Sequence, residues 1–280
     1  MKTVIAKIFN FGLVRIIGRD RVKKILHMVA HLADIDLMTL AYNSVGILKF
    51  ENEYVSGEHF FISKVLKGYL KVPNPVLFDV GANIGKYTLA LSKEFPDAKI
   101  FSFEANRNTF EILNLNVKDK SECVSVGLGS EMKTGKIYTY AACLESSHAS
   151  MYSDVFKSFH GTKDIVDVDF EMITLDNFCA QRGIKEIDLL KIDTEGNELD
   201  VLKGCGKMLS EDRIKIVQFE FGECDVFSKV FLRDFYTILP NYRIYRLNSD
   251  SLIPLFEYKS TNEIFRFQNF IAINTKLVSM

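Results

Sequence analysis

The sequence predicts an α/β fold: a doubly wound parallel sheet preceded by a helical cap. Three observations predict it. Apolar runs of strand length alternate with segments of helical spacing between residues 76 and 128. The first of those runs passes at once into a turn holding Gly81, Asn83 and Gly85. Two late segments, "YRIYRLN" (242–248) and "QNFIAIN" (268–274), have the pattern of an antiparallel hairpin.

The elements follow in order. In the first residues, Ile5, Ile8, Phe9, Leu13, Ile16 and Ile17 share a helical face, while Lys2, Lys7, Arg15 and Arg19 favour the other. A basic amphipathic helix suits either an anionic membrane surface or the protein's own cap. Lys7 and Arg15 interrupt the apolar residues, so a secretory signal is not expected. Residues 20–48 read as one or two more helices, and the uncharged run 37–48 is too short to span a bilayer. His27 and His31 stand four apart, but "HMVAH" lacks the Glu of a zinc-protease helix. The expected organisation is a cap over 1–70 and a larger domain over 71–280.

After the breaker "VPNP", "VLFDV" (76–80) has the apolar continuity of a strand buried on both faces. "IGKYTLALSKEF" (84–95) predicts a helix with Leu89, Ala90 and Phe95 inward. "KIFSFE" (99–104), a helix over 108–119 and "ECVSVGL" (122–128) continue the alternation. Residues 136–144 and 164–173 are strand-like, with the polar stretch "ESSHASMYSDVFKSFHGTK" between them. Then come a helix at "LDNFCAQRG", the strand "IDLLKID" (187–193), a helix over 197–209, the strand "IKIVQFEF" (214–221) and a helix over 226–239.

Composition excludes some classes. A net charge of −1 gives no global attraction to nucleic acid. The five cysteines (123, 143, 179, 205, 224) form no C-x-x-C pair and read as reduced thiols, which suits the cytoplasm. No cluster demands a metal.

The glycine turn carries the chemistry. After the first strand of such a sheet it lies at the carboxyl edge, where ligands bind. It is one spacer short of a phosphate-binding P-loop, and Tyr87 stands where a magnesium-binding hydroxyl belongs. Asn83 replaces the middle glycine of a dinucleotide site. Asp79 at the strand tip suits a cationic ligand arm rather than a pyrophosphate. Glu104 ends the second strand, 25 residues later, where a carboxylate accepts both hydroxyls of a ribose. Together these fit S-adenosylmethionine. "LLKIDTEGNELDVLKG" (189–204) adds Asp193 and Glu195 at the tip of the next strand, where Glu195 is either functional or a helix cap.

"FDVGANIGKYT", "FSFEANRNTF" and "LKIDTEGNELDVLKG", in that order, resemble the FkbM family of S-adenosylmethionine-dependent methyltransferases over roughly residues 58–204. The resemblance implies a class I methyltransferase sheet, Rossmann-like, with an antiparallel last strand. It implies methyl transfer to a hydroxyl oxygen on a sugar, glycan or natural product. By motif, Asp79, Gly81, Asn83 and Gly85 carry over to the methionine and sugar side of the cofactor and Glu104 to the ribose, with Ala82 and Asn106 also expected at the cofactor. Asn197 stands where the family commonly has His.

An alcohol needs a base to become a methyl acceptor. The candidates are Asp193, Glu195, Glu220 and His148, the last in the polar insertion, where it either closes over the site or faces solvent. Two readings without methyl transfer stay open: a nicotinamide-dependent oxidoreductase, disfavoured by the missing glycine, and an inactive binding module, disfavoured by intact acids at 79, 104 and 193. The acceptor and the oligomeric state have no signature in the sequence.

Overall fold

The computed structural model describes residues 14–140, 150–152 and 165–278. The chain divides into two compact units, Met1–Val45 and Gly46–Met280. In the first, helix α1 (Arg19–Leu32) follows Gly18, and helix α2 (Leu37–Ser44) starts where the Asp36 carboxylate accepts from the Met38 amide at 2.9 Å. Residues 1–13, with most of the expected amphipathic stretch, lie outside the described residues.

The second unit opens with short helical turns, including a π-helical stretch Phe61–Leu66. Phe61, Ile62 and Leu66 pack among Leu77, Leu91 and Ile100. Residues 46–70 fall within the second compact unit.

In chain order come β1 (Val76–Val80), α3 (Lys86–Glu94), β2 (Lys99–Phe103), α4 (Arg107–Val117) and β3 (Glu122–Val124). Next are β4 (Gly127–Leu128), β5 (Lys133–Tyr140), β6 (Ile165–Ile173), α5 (Leu175–Arg182), β7 (Ile187–Ile192), α6 (Glu198–Lys203) and α7 (Gly206–Ser210). The chain ends through β8 (Ile214–Phe221), α8 (Cys224–Ser228), α9 (Leu232–Ile238), β9 (Tyr242–Asn248), β10 (Ser251–Pro254) and β11 (Gln268–Asn274).

Eight strands form the main sheet in the order β10-β9-β11-β8-β7-β1-β2-β3. From β3 to β8 all pairs are parallel, and β11 runs antiparallel to both β8 and β9. The expected hairpin partners do pair, but β11 inserts between β9 and β8, and β10 adds an edge strand. Both faces are buried, as the apolar runs demand. Phe78, Phe101, Leu190 and Val217 face α5, α6 and α9, while Leu77, Ile100, Leu189 and Ile216 face α3 and the turns before β1. Phe178 of α5 meets Phe78, Phe101 and Phe103 edge-on at 4.9–6.0 Å, which fixes that helix on the sheet.

Four expectations need correction. Leu89 points outward, because Thr88 and Leu91 form the sheet-facing side of α3. The strand expected over 122–128 divides: β3 stays in the main sheet, and β4 joins β5 and β6 in a separate three-stranded sheet. The helix expected over 197–209 breaks at Gly204, and the Asp176 carboxylate accepts from the Lys207 and Met208 amides to start α7. The helix expected over 226–239 breaks at Lys229, whose φ is +59°, and the Glu263 carboxylate accepts from the Leu232 and Arg233 amides to start α9.

Candidate active site

A cavity of about 740 Å³ opens at the carboxyl edge of β1, β2, β7 and β8, with β4, β5 and β6 on one side. Such an edge is where parallel sheets bind ligands, because crossovers leave in opposite directions there. Its wall includes Gly81, Asn83, Glu104, Asp193, Glu195 and Glu220.

The turn after β1 is held from below. The amides of Gly81 and Ala82 both donate to the Phe103 carbonyl, at 3.0 and 2.9 Å. Gly81 has φ +74°, and a Cβ there would overlap the Asp193 carbonyl oxygen. Gly85, at φ +90°, admits Leu113 and Val117 of α4 against its Cα. Asn83 takes φ +50° and turns its amide to Glu104 Oε2 at 3.0 Å. Glu104 Oε1 accepts from the Asn106 amide at 2.8 Å. Two backbone donors thus fix this carboxylate at the cavity wall. Burial raises its pKa, and the Asn106 and Asn83 amides act against that.

Four residues expected at the cofactor do not line the cavity: Gly85, packed on α4, and Asp79, Ala82 and Asn106. Asp79 is fully buried. Its Oδ2 accepts from Thr88 Oγ1 at 2.7 Å; its Oδ1 lacks a hydrogen bond but sits 3.3 Å from Lys191 Nζ, so charge compensates it. Ala82 packs on Leu113 and Val117. Asn106 is buried and caps α4, accepting from the Asn108 amide at 3.1 Å.

Asp193 faces the cavity and pairs with Lys191 at 3.2 Å. Lys191 is buried between the two aspartates. Burial opposes its charge, but Asp193, Asp79 and Glu58 together hold its ammonium above the ordinary lysine pKa. Glu195, at φ +54°, accepts from the Cys224 thiol at 3.3 Å. Burial first, and then Asp193, push its pKa up to about 8. Glu220 also lines the cavity, its pKa raised by burial and by Asp193 and Glu195. Glu223, at the cavity beside Cys224, pairs with Arg266 at 3.3 Å. His148 lies outside the described residues.

The cap after β7 is Glu198, not Glu195. Its carboxylate accepts from the Thr194 amide at 2.6 Å and from the Gly196 amide at 3.0 Å. The "T-E-G-N-E" spacing carried that signal. Asn197 donates its side-chain amide to the Leu128 carbonyl at 3.0 Å, tying the turn to β4. Among the described residues no three His, Cys, Asp or Glu side chains converge as a metal site.

The sheet order and the antiparallel β11 are those of the class I methyltransferase fold, with the Glu104 carboxylate at the tip of β2 beside the glycine turn. Residues 79–245 match the methyltransferase FkbM domain, and the chain belongs to that family. The methyltransferase sdnD of Sordaria araneosa is 33% identical over 157 residues, covering 47% of this chain and 60% of that protein. The 2-O-methyltransferase NoeI of Sinorhizobium fredii is 21% identical over 199 residues, covering 65% of this chain and 78% of that protein. The 31-O-demethyl-FK506 methyltransferase FkbM of Streptomyces tacrolimicus is 28% identical over 155 residues, covering 47% and 60%. The matched stretch thus spans about 60% of two of these relatives.

Proposed function

We propose that the chain methylates a hydroxyl oxygen of an uncharged small molecule or glycan. The observation that carries the cofactor side is Glu104, aimed at the cavity by the amides of Asn83 and Asn106. A carboxylate so fixed suits the paired hydroxyls of a ribose. The backbone at Gly81 and Asn83 would face the methionine arm, and Asp193 its ammonium. When bound, S-adenosylmethionine supplies an electrophilic methyl group.

The acceptor side is acidic. Glu195, Glu220 and Glu223 remain on the wall after Glu104 and Asp193 are assigned, and no Lys, Arg or His lines the cavity among the described residues. The wall thus offers an anionic acceptor no cationic side chain, whereas a neutral hydroxyl finds carboxyl groups to bond with. Glu195 is the favoured base: once ionised it can take that proton, with the Cys224 thiol orienting it. Glu220 is the competing base. NoeI, a 2-O-methyltransferase, and FkbM, a 31-O-demethyl-FK506 methyltransferase, support the same reading.

The test has two arms. Calorimetry should show S-adenosylhomocysteine binding and no NAD binding, and Glu104→Ala should weaken it by about 1.5–3 kcal/mol. An unchanged dissociation constant removes Glu104 from the site. Extracts incubated with protein and isotope-labelled methyl donor should then yield a base-stable methyl ether; a base-labile ester or a methylated amine overturns the hydroxyl assignment.

A further inference from the structure

Among the described residues of the first compact unit, most large apolar side chains are exposed. Half of the exposed large hydrophobic residues among those described fall between residues 16 and 40. On α1, Ile25, Leu26, Val29 and Leu32 recur at helical spacing along one stripe, and Leu32 is 78% exposed. On α2, Met38 and Leu40 are exposed as well. Leaving such a stripe in water is unfavourable, and patches of this kind mark interaction surfaces.

Charge names the occupant. Residues 1–45 hold seven Lys and Arg against three Asp, whereas residues 46–280 hold 28 Lys and Arg against 33 Asp and Glu. The chain's near-neutral total hides this segregation. At 100° per residue, Arg19 and Arg21 border the stripe of α1 on either side, and Lys23 and Lys24 lie beyond them. Long basic side chains at the border of an apolar face can reach headgroup phosphates while their stems stay in the apolar layer. No single helix is long and apolar enough to cross a membrane among the described residues, and α1 and α2 meet at a bend of 108°.

We propose that α1 and α2 lie flat on an anionic lipid bilayer and hold the protein at that surface. A protein partner would not need cations along both borders of the stripe, and a second copy of a basic unit would be repelled by the first.

The experiment is flotation of the full-length protein with vesicles of phosphatidylcholine alone or mixed with phosphatidylglycerol, at low and high salt. The expected result is binding to the mixed vesicles only, weakened by salt. Arg19→Gln with Arg21→Gln should weaken binding about tenfold or more. Leu26→Glu with Val29→Glu should abolish it, with unchanged thermal melting as the folding control; the arginine pair is the second variant should that melting change. A protein that stays unbound at low salt overturns the proposal. So does equal binding to both vesicle types, or a vesicle-independent dimer that the Leu26 and Val29 substitutions disrupt.

Discussion

Glu195 and Glu198 are separated by two residues and have different jobs. Glu198 spends its oxygens on the amides of Thr194 and Gly196, while Glu195 accepts from the Cys224 thiol and lines the cavity. A base must be ionised to act, and burial holds Glu195 protonated up to a pH of about 8. The value of kcat/KM should therefore rise with pH through that region. Glu195→Gln should remove the rise and lower turnover by about 10²- to 10⁴-fold, with little change in cofactor affinity. Full turnover in that variant moves the base to Glu220 or Asp193. Asp79 shows what the sequence hides at this scale. "VLFDV" is buried on both faces, so it gives no parity by which to tell that Asp79 shares its side with Leu77 and not with the cavity. Lys191 in "LLKID" is a buried charge needing partners. Naming Asp79 as one of them requires knowing that β1 and β7 are neighbours.

At the scale of elements, the β-α alternation was legible because period and length agree in each run. The helix breaks were legible only in part. Gly204 marks one of them, but the carboxylate that starts α7 is Asp176, on α5. At Lys229 neither Gly nor Pro gives notice, and the cap on α9 comes from Glu263, about 30 residues later in the chain. Contacts of that range have no local signature. The turn after β1 is the opposite case, since its glycines report a real steric demand. Gly81→Ala would set a methyl group against the Asp193 carbonyl at a φ that side chains avoid. It should cost about 1–3 kcal/mol in urea unfolding. A variant as stable as the parent would mean that β1 and β7 separate at their tips without penalty.

At the scale of the whole molecule, the second unit stores carboxylates that prefer to be neutral. Glu195 is raised to about 8 and Glu198 to about 7, both chiefly by burial, and Glu220 and Asp225 are raised by the same cause. In the unfolded chain these groups lose their protons near ordinary carboxylate values. Between those values and the raised ones, the folded state binds more protons than the unfolded state. These groups therefore make stability fall as pH climbs from the ordinary carboxylate range to about 7 for Glu198 and about 8 for Glu195, above which their contribution levels off. Melting temperature measured across that range should decline, and Glu195→Gln should reduce the decline. A flat profile would mean that the site ionises at no cost.

The chain leaves the main sheet after Val124 and returns to it through α5 after Ile173. Entry and exit lie side by side: Gly127 and Leu128 pair in parallel with Met172 and Ile173, and the Gly129 amide donates to the Ile173 carbonyl at 3.0 Å. The excursion is closed at its own base, like a cassette clipped into a frame. Its far end can lengthen, shorten or change composition without shifting β3 or α5. Glu104 and the glycine turn belong to the frame, whereas Leu128, Ile137, Met151 and Phe170 on the cavity wall belong to the cassette. On the proposed function, exchange of the cassette would alter the acceptor side of the cavity while the Glu104 side stays as it is.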